Sequence, residues 1–252
     1  MEAPKKQIKV VLAEPQDADT LGDIHGRAFA SCLTSIFPMG PELTVPYLDF
    51  RRSQCRRQAV AVHDPVQKSL RKSYPSILLK AVLRDQATGK DEIVGVLVGQ
   101  VVPRRSDSVA KASIDRADAS LPVLKFPEGY NERIWNALRD LMIKAEADFV
   151  GNQTVLGQFK ISSLDIGILA VSSAARGYGI GRAMIDHLKS HYPGLPICLT
   201  AFESAVGFYG RNGFECPRDR MISHPDWGFR LFPCIWRPTS TDAVDEENID
   251  NM

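Results

Sequence analysis

Arg176, Gly177, Gly179 and Gly181 stand within six residues of one another, and together they suit the binding of an anion. Glycines let a turn curl with its N–H groups facing inward and no Cβ in the way, and the arginine adds a fixed positive charge. The residues on either side say how such a turn is held. Before it, Ile166, Ile168, Leu169, Ala170 and Val171 form a short apolar run suited to a buried strand. After it, Ile180, Ala183, Met184 and Leu188 recur at helical spacing, so the turn feeds a helix N-terminus whose unpaired N–H groups and positive dipole end face the same point. The chemistry this predicts is the holding of a pyrophosphate.

Spacing separates three kinds of phosphate loop. A GxGxxG dinucleotide fingerprint starting at Gly177 needs a glycine at position 182, where Arg182 stands. A GxxxxGK[ST] loop needs a Lys-Ser or Lys-Thr after the glycines, and none follows. The pattern present is RxxGxG, as Arg176, Gly179 and Gly181, preceded by Leu169-Ala170-Val171. It resembles the acetyl-CoA motif of the GNAT superfamily of N-acetyltransferases. A second stretch agrees: Phe208, Tyr209, Gly213 and Phe214 match the FYxxxGF that ends a helix in that superfamily. Phe202 stands where the family often has an asparagine, seven residues before the tyrosine, which removes a side-chain contact to the pantetheine arm. The likeness is closest to fungal GNAT-domain proteins, which tend to have a small residue and a serine where Ala201 and Phe202 stand. These motifs span residues 164 to 214; the rest of the chain is matched by order of elements.

The resemblance implies acetyl-CoA as co-substrate, with no metal. It implies contacts to the cofactor from Leu169, Ala170, Val171, Arg176, Gly177, Tyr178, Gly179, Ile180, Gly181, Arg182 and Phe208. Acetyl transfer to an amine requires a positioned thioester, a polarised carbonyl, a neutral amine and a protonated leaving thiolate. The amides of the pantetheine arm can pair with the edge of the strand Leu169 to Val171, and free N–H groups of that strand can receive the developing oxyanion. Tyr209, by resemblance, donates a proton to the thiolate, its alternative role being that of a core aromatic. Asp165 is the candidate base and Glu203 the next; both also read as surface or capping acids.

The elements that must position these residues follow in order. Ile8 to Ala13 is expected as a strand and Asp17 to Ala30 as a helix. Val45 to Val62 is expected as a second helix carrying Arg51, Arg52, Arg56 and Arg57 around Cys55, either a patch for an anionic substrate or, by preference, a solvated face. Ile77 to Leu83 and Ile93 to Val102 form an expected antiparallel hairpin turning at Thr88-Gly89. Residues 103–126 lack a sustained period and are expected to be an insertion, mobile or lightly helical; whether it covers the site is left open by the sequence. A helix capped by Asn131 should carry Ile134, Trp135, Leu138, Leu141, Met142, Ala145 and Phe149 on one face, with Trp135 in the core. Ile197 to Thr200 and Phe229 to Trp236 are the last strands, separated by the short helix that Gly213 ends and by a loop holding His224. His25, His63, His187 and His191 have no acid or thiol partner that the sequence places beside them.

The fold class expected is α/β, a mixed and mostly antiparallel GNAT-like sheet, splayed beside Leu164 to Val171, with helices on both faces. Residues 1–238 are expected to form a single domain and 239–252 an acidic disordered tail. The 252 residues, 44% hydrophobic and 24% charged, suffice for a full core. Net charge is +1, and five acids fall in that tail, which leaves the body at +6. That suits a polyanionic cofactor and is too weak to argue for nucleic acid. The five cysteines have no metal-site spacing and are expected reduced. No signal peptide or membrane span is apparent, so the expectation is a cytoplasmic protein, monomer or homodimer, acting on a small-molecule amine. Amino sugar, polyamine, xenobiotic and protein N-terminus stay open as acceptors. Two functions are carried: a direct, ternary-complex N-acetyltransferase, and a CoA-binding sensor or interaction module that kept the fold without turnover.

Overall fold

The computed structural model describes residues 6–30, 32, 45–72, 74–86, 88–102, 108–142, 162–223 and 230–238. Six strands form one sheet in sequence order: β1 (Lys6–Leu12), β2 (Ser76–Asp85), β3 (Asp91–Val102), β4 (Ser163–Val171), β5 (Ile197–Phe202) and β6 (Leu231–Trp236). Every neighbouring pair is antiparallel except β4 and β5. That parallel pair is short, running from Leu164↔Ile197 through Asp165↔Cys198 to Ile166↔Leu199, beyond which the two strands part. The expected mixed sheet with a splay beside β4 is therefore present.

Alternation along the strands divides the core between two faces. On one face α1 (Ala18–Phe29) and α2 (Val45–His63) cover β2, β3 and β4, with Leu21, Cys55, Ala59 and Val62 meeting Leu78, Val96 and Ala170. On the other lies α6 (Ile180–His191), whose Ile180, Met184, Ile185 and Leu188 are at most 2% exposed and pack over Leu79, Ala81 and Leu97. Each such side chain contributes roughly 1.5–3 kcal/mol by leaving water, which fixes the helix, and hence its N-terminus, against the sheet. Next, α7 (Glu203–Arg211) packs on β5 and β6 and ends at Gly213, whose φ is +81°. The Phe214 N–H bonds the Tyr209 carbonyl across that turn at 3.1 Å.

Between β3 and β4 lie α4 (Ser108–Ala119) and a helix over 132–142, called α5. Asn131 caps α5 as expected, its Oδ1 accepting from the Ile134 N–H at 3.2 Å. The described part of the expected insertion is more regular than its sequence suggests. α4 is tied to α3 (Pro65–Leu70) and the turn after it, where Gln67 Nε2 donates to the Ala117 carbonyl at 2.9 Å and the buried Arg71 pairs with Asp118. Those long-range polar ties leave no apolar period to read. Residues 103–107, Ala145, Phe149, His224 and the tail from 239 fall outside the described residues.

One expectation about chemistry is corrected here. Cys216 and Cys234 are joined in a disulfide, because the Glu215↔Ile235 bridge brings the segment after α7 alongside β6. Cys32, Cys55 and Cys198 remain thiols. Their wide separation in sequence hid the pair, which sheet pairing creates. Among the described residues no helix is long and apolar enough to cross a membrane, and no cluster of His, Cys, Asp and Glu could hold a metal.

Candidate active site

At the end of β4 the chain makes a single 3₁₀ turn, Ser173–Ala175, and then the glycine turn. Gly177 and Gly179 have φ of +85° and +81°, and a Cβ at either would meet nothing within 4 Å. A left-handed backbone with open space beside it is what an anion cradle requires. Gly179 caps α6, and the Ala183 N–H makes the bond to its carbonyl at 2.9 Å, so the N–H groups of residues 180–182 come before the helix's own ladder begins. Arg176, Tyr178 and Arg182 are exposed around the turn, and Arg182 lies 3.5 Å from Asp186 on α6.

Gly181 behaves differently from its neighbours. A Cβ there would come within 3.0 Å of Phe208 Cζ and 3.6 Å of Leu169 Cδ2. A side chain at Gly181 would press on the ring that α7 lays against α6. Ile180 and Ala170 are likewise buried, at 2% and 3% exposure, so at these positions the backbone alone is available to a ligand.

The parting of β4 from β5 opens a cleft of about 550 Å³. Its floor is β4 from Asp165 to Leu169 together with Leu199 to Phe202 of β5; α1, α2 and α5 wall one side, and Ala205 and Tyr209 of α7 close the other. Register along β3 and β4 slips between Val98↔Ile168 and Gly99↔Ile166, leaving Gly167 unpaired and exposed to the cleft. Tyr209 lies at the closed side, 7% exposed, edge-on to Phe208 at 5.0 Å and to Phe214 at 5.4 Å. Burial pushes its phenol above the ordinary value, so at neutral pH it holds its proton. The glycine turn does not line this cleft. Leu169 connects them, since it lines the cleft and also lies against Gly181, and the consecutive residues Phe208 and Tyr209 meet the turn and the cleft respectively.

Of the two candidate bases, the structure brings Asp165 to the cleft, opposite Gln100 in the β3–β4 register. Glu203 is exposed at the start of α7, 3.5 Å from Arg230. Phe202 packs on the α1 side, 5.7 Å from the Phe29 ring. Trp135, expected in the core, is half-buried and lines the cleft.

Two cleft residues lie where the sequence did not assign them: His25, and Arg51, whose cluster the sequence left between an anionic-substrate patch and, by preference, a solvated face. His25 is 4% exposed, and burial, then the charge of Arg51, holds its imidazole well below the ordinary value. Arg51 is 3% exposed, with Nη1 donating to Gln54 Oε1 at 2.7 Å and the guanidinium 5.0 Å from the Tyr47 ring. The rest of its cluster does face outward: Arg52 pairs with Asp23 at 2.7 Å, Arg56 with Asp19 at 2.7 Å, and Arg57 bonds the Asp118 and Pro122 carbonyls. A signal was present in the spacing. Leu48, Arg51, Cys55, Ala59 and Val62 fall three or four apart, which puts one arginine on the buried stripe.

A six-stranded sheet splayed between β4 and β5, with a glycine turn opening α6 at the end of β4, accounts for residues 131–216 matching the family model described as an acetyltransferase (GNAT) domain. The chain has the GNAT acyltransferase fold. Solved GNAT structures superpose along nearly its whole length. Arylalkylamine N-acetyltransferase 2 from Aedes aegypti has a TM-score of 0.53 at 14% identity, covering 92% of this chain and 100% of that one. A mosquito arylalkylamine N-acetyltransferase-like 5b gives 0.51 at 15%, covering 91% and 99%. A histone acetyltransferase HPA2 and related acetyltransferase from Corynebacterium glutamicum gives 0.50 at 19%, covering 92% and 97%. At such identities the likeness is one of fold. No curated protein matches the chain in sequence.

Proposed function

We propose that the protein is an N-acetyltransferase that moves an acetyl group from acetyl-CoA to an amine held in the cleft. The observation that carries this reading is the splay itself. β4 and β5 separate after Ile166, and the gap is bounded by Tyr209 on one side and reaches Leu169, which also lies against Gly181 in the first turn of α6.

The residues present fit acetyl-CoA. The turn at Gly177 and Gly179, with Arg176 beside it, would receive the pyrophosphate, and the β4 edge from Leu169 to Val171 offers backbone partners to an amide-bearing arm. Acetyl-CoA would supply the activated acyl group. Beyond Ile166, where β4 has no partner in β5, backbone N–H groups of β4 would be available to stabilise negative charge on the acyl oxygen. Tyr209 holds a proton at neutral pH and can give it to the departing thiolate. Asp165 lines the cleft and, in this reading, would take the amine's proton, directly or through water.

The test is thiol release from acetyl-CoA against a panel of primary amines, paired with calorimetry of CoA alone. The expected result is CoA binding together with amine-dependent release. Binding with no release by any amine would favour the CoA-sensing module, and an absence of CoA binding would overturn both readings.

A further inference from the structure

Most of the cleft's lining is apolar, with Phe29, Val98, Leu138, Met142, Ile166 and Ile168 among its residues, and His25 sets a polar ring in that wall. It sits on the buried side of α1, four residues after Leu21 and four before Phe29, at 4% exposure, where an aliphatic side chain would serve packing as well. Its Nδ1 is buried and has no hydrogen-bond partner among the described residues. Buried polar atoms are nearly always paired, because an unpaired one gives up its water and receives nothing in exchange. His25 thus lacks the partner that a histidine kept for packing would have, and it lacks it in the wall of a cavity, where a bound molecule can supply one. Phe29 meets the ring edge-on, 5.3 Å away, and steadies its plane without offering it a polar atom.

The ring also says what that partner must be. A neutral imidazole has one nitrogen that donates and one that accepts, and burial keeps His25 neutral at neutral pH. A carboxylate only accepts, a second ammonium only donates, and either would carry a charge into a largely apolar space. A hydroxyl does both, so it satisfies Nδ1 in either tautomer and brings no charge. Resting on the acetyltransferase reading, we infer that the acceptor is an amino alcohol: an amine on an apolar body whose hydroxyl hydrogen-bonds His25 while its amine turns to the splay between β4 and β5. An amine without the hydroxyl covers the ring and leaves Nδ1 unpaired, so the site discriminates by the bond that such an analogue cannot make. His25 and the splay are both held by packed elements, which sets one spacing between hydroxyl and amine.

A ladder of chain lengths tests this on the full chain: straight-chain amines of three to eight carbons, each against the ω-amino alcohol of the same length. Thiol release with acetyl-CoA should give a kcat/KM about tenfold higher for the amino alcohol at one length or two adjacent ones, with no preference at shorter or longer chains. His25→Leu should abolish that preference. His25→Asn, whose amide can place a polar atom near the position of Nδ1, should keep part of it, which a purely structural role for the ring would not produce. The wild-type ladder stands even where His25→Leu does not fold. Calorimetry of the same compounds in saturating CoA supplies a readout that needs no turnover. Turnover of the plain amines as good as that of the amino alcohols at every length, or a preference that survives His25→Leu, overturns the hydroxyl contact and leaves the acetyltransferase reading intact. His25-dependent binding of an amino alcohol without turnover of any amine does the reverse. Neither turnover nor binding at any length overturns the contact as well.

Discussion

At the residue scale, Tyr209 combines two requirements that pull against each other. Burial keeps its proton on at neutral pH, and the same burial makes it a weaker acid. The benefit it brings to thiolate departure should therefore fall at the low end of the ~10²- to 10⁴-fold typical of acid catalysis. Tyr209→Phe preserves the ring contacts with Phe208 and Phe214 and should lower kcat by about that factor, with the KM for acetyl-CoA nearly unchanged. Wild-type turnover by Tyr209→Phe, with chemistry rate-limiting, would reduce the tyrosine to a core aromatic. Tyr209 was legible because it sits in a motif with fixed spacing. His25 and Arg51 were not, because a polar residue at helical spacing means opposite things on a buried stripe and on a wet one, and which stripe faces the sheet is decided by the partner helix and strands. Arg51 drew the wrong reading for a further reason: it is embedded among three arginines that do face solvent.

Among elements, the start of α6 carries two glycines with different duties. Gly179 serves the backbone, since its φ of +81° suits no side chain well, while Gly181 serves packing, since a Cβ there presses on Phe208. Gly181→Ala should destabilise the fold by about 1–3 kcal/mol through overpacking, and Phe208→Leu in the same chain should restore part of it. Gly179→Val should instead act mainly on CoA affinity. Urea denaturation and CoA calorimetry on both variants separate the two duties, and an unchanged urea midpoint for Gly181→Ala would mean that the Phe208 ring yields freely. Elements with their own period were readable in sequence: the β2–β3 hairpin, the capped start of α5 and the apolar stripe of α6. α4 was not, since what holds it is a set of polar ties to α3 and the turn after it, and a contact between Gln67 and the Ala117 carbonyl fifty residues away leaves no local trace.

For the whole molecule, the buried imidazole of His25 links folding to pH. Its value is depressed in the fold and ordinary, about 6.5, in the unfolded chain. Its contribution to stability is therefore fully present above about pH 6.5 and lost as pH falls below it, because the unfolded chain takes up a proton that the folded one refuses. The loss approaches ~1.4 kcal/mol per pH unit for one proton. Urea midpoints at pH 7.5, 6.0 and 5.0 should fall more steeply for wild type than for His25→Gln, and equal slopes would show that His25 takes up its proton as readily folded as unfolded.

The short β4–β5 pairing also gives the sheet a mechanics of its own. Backbone hydrogen bonding joins a four-stranded plate, β1 to β4, to a two-stranded plate, β5 and β6, at one corner, Leu164 to Ile166 against Ile197 to Leu199. Were that corner to act as a hinge, the five residues beyond Ile166, to Val171, would be its lever arm, about 16 Å long at the usual rise of an extended strand. A relative rotation of roughly 5° about the corner moves the Val171 end by about 1.4 Å, as simple geometry on that length requires. The width of the gap is thus set by the angle between two plates and not by any one loop, and a molecule lodged across it acts as a strut that fixes the angle for the entire sheet.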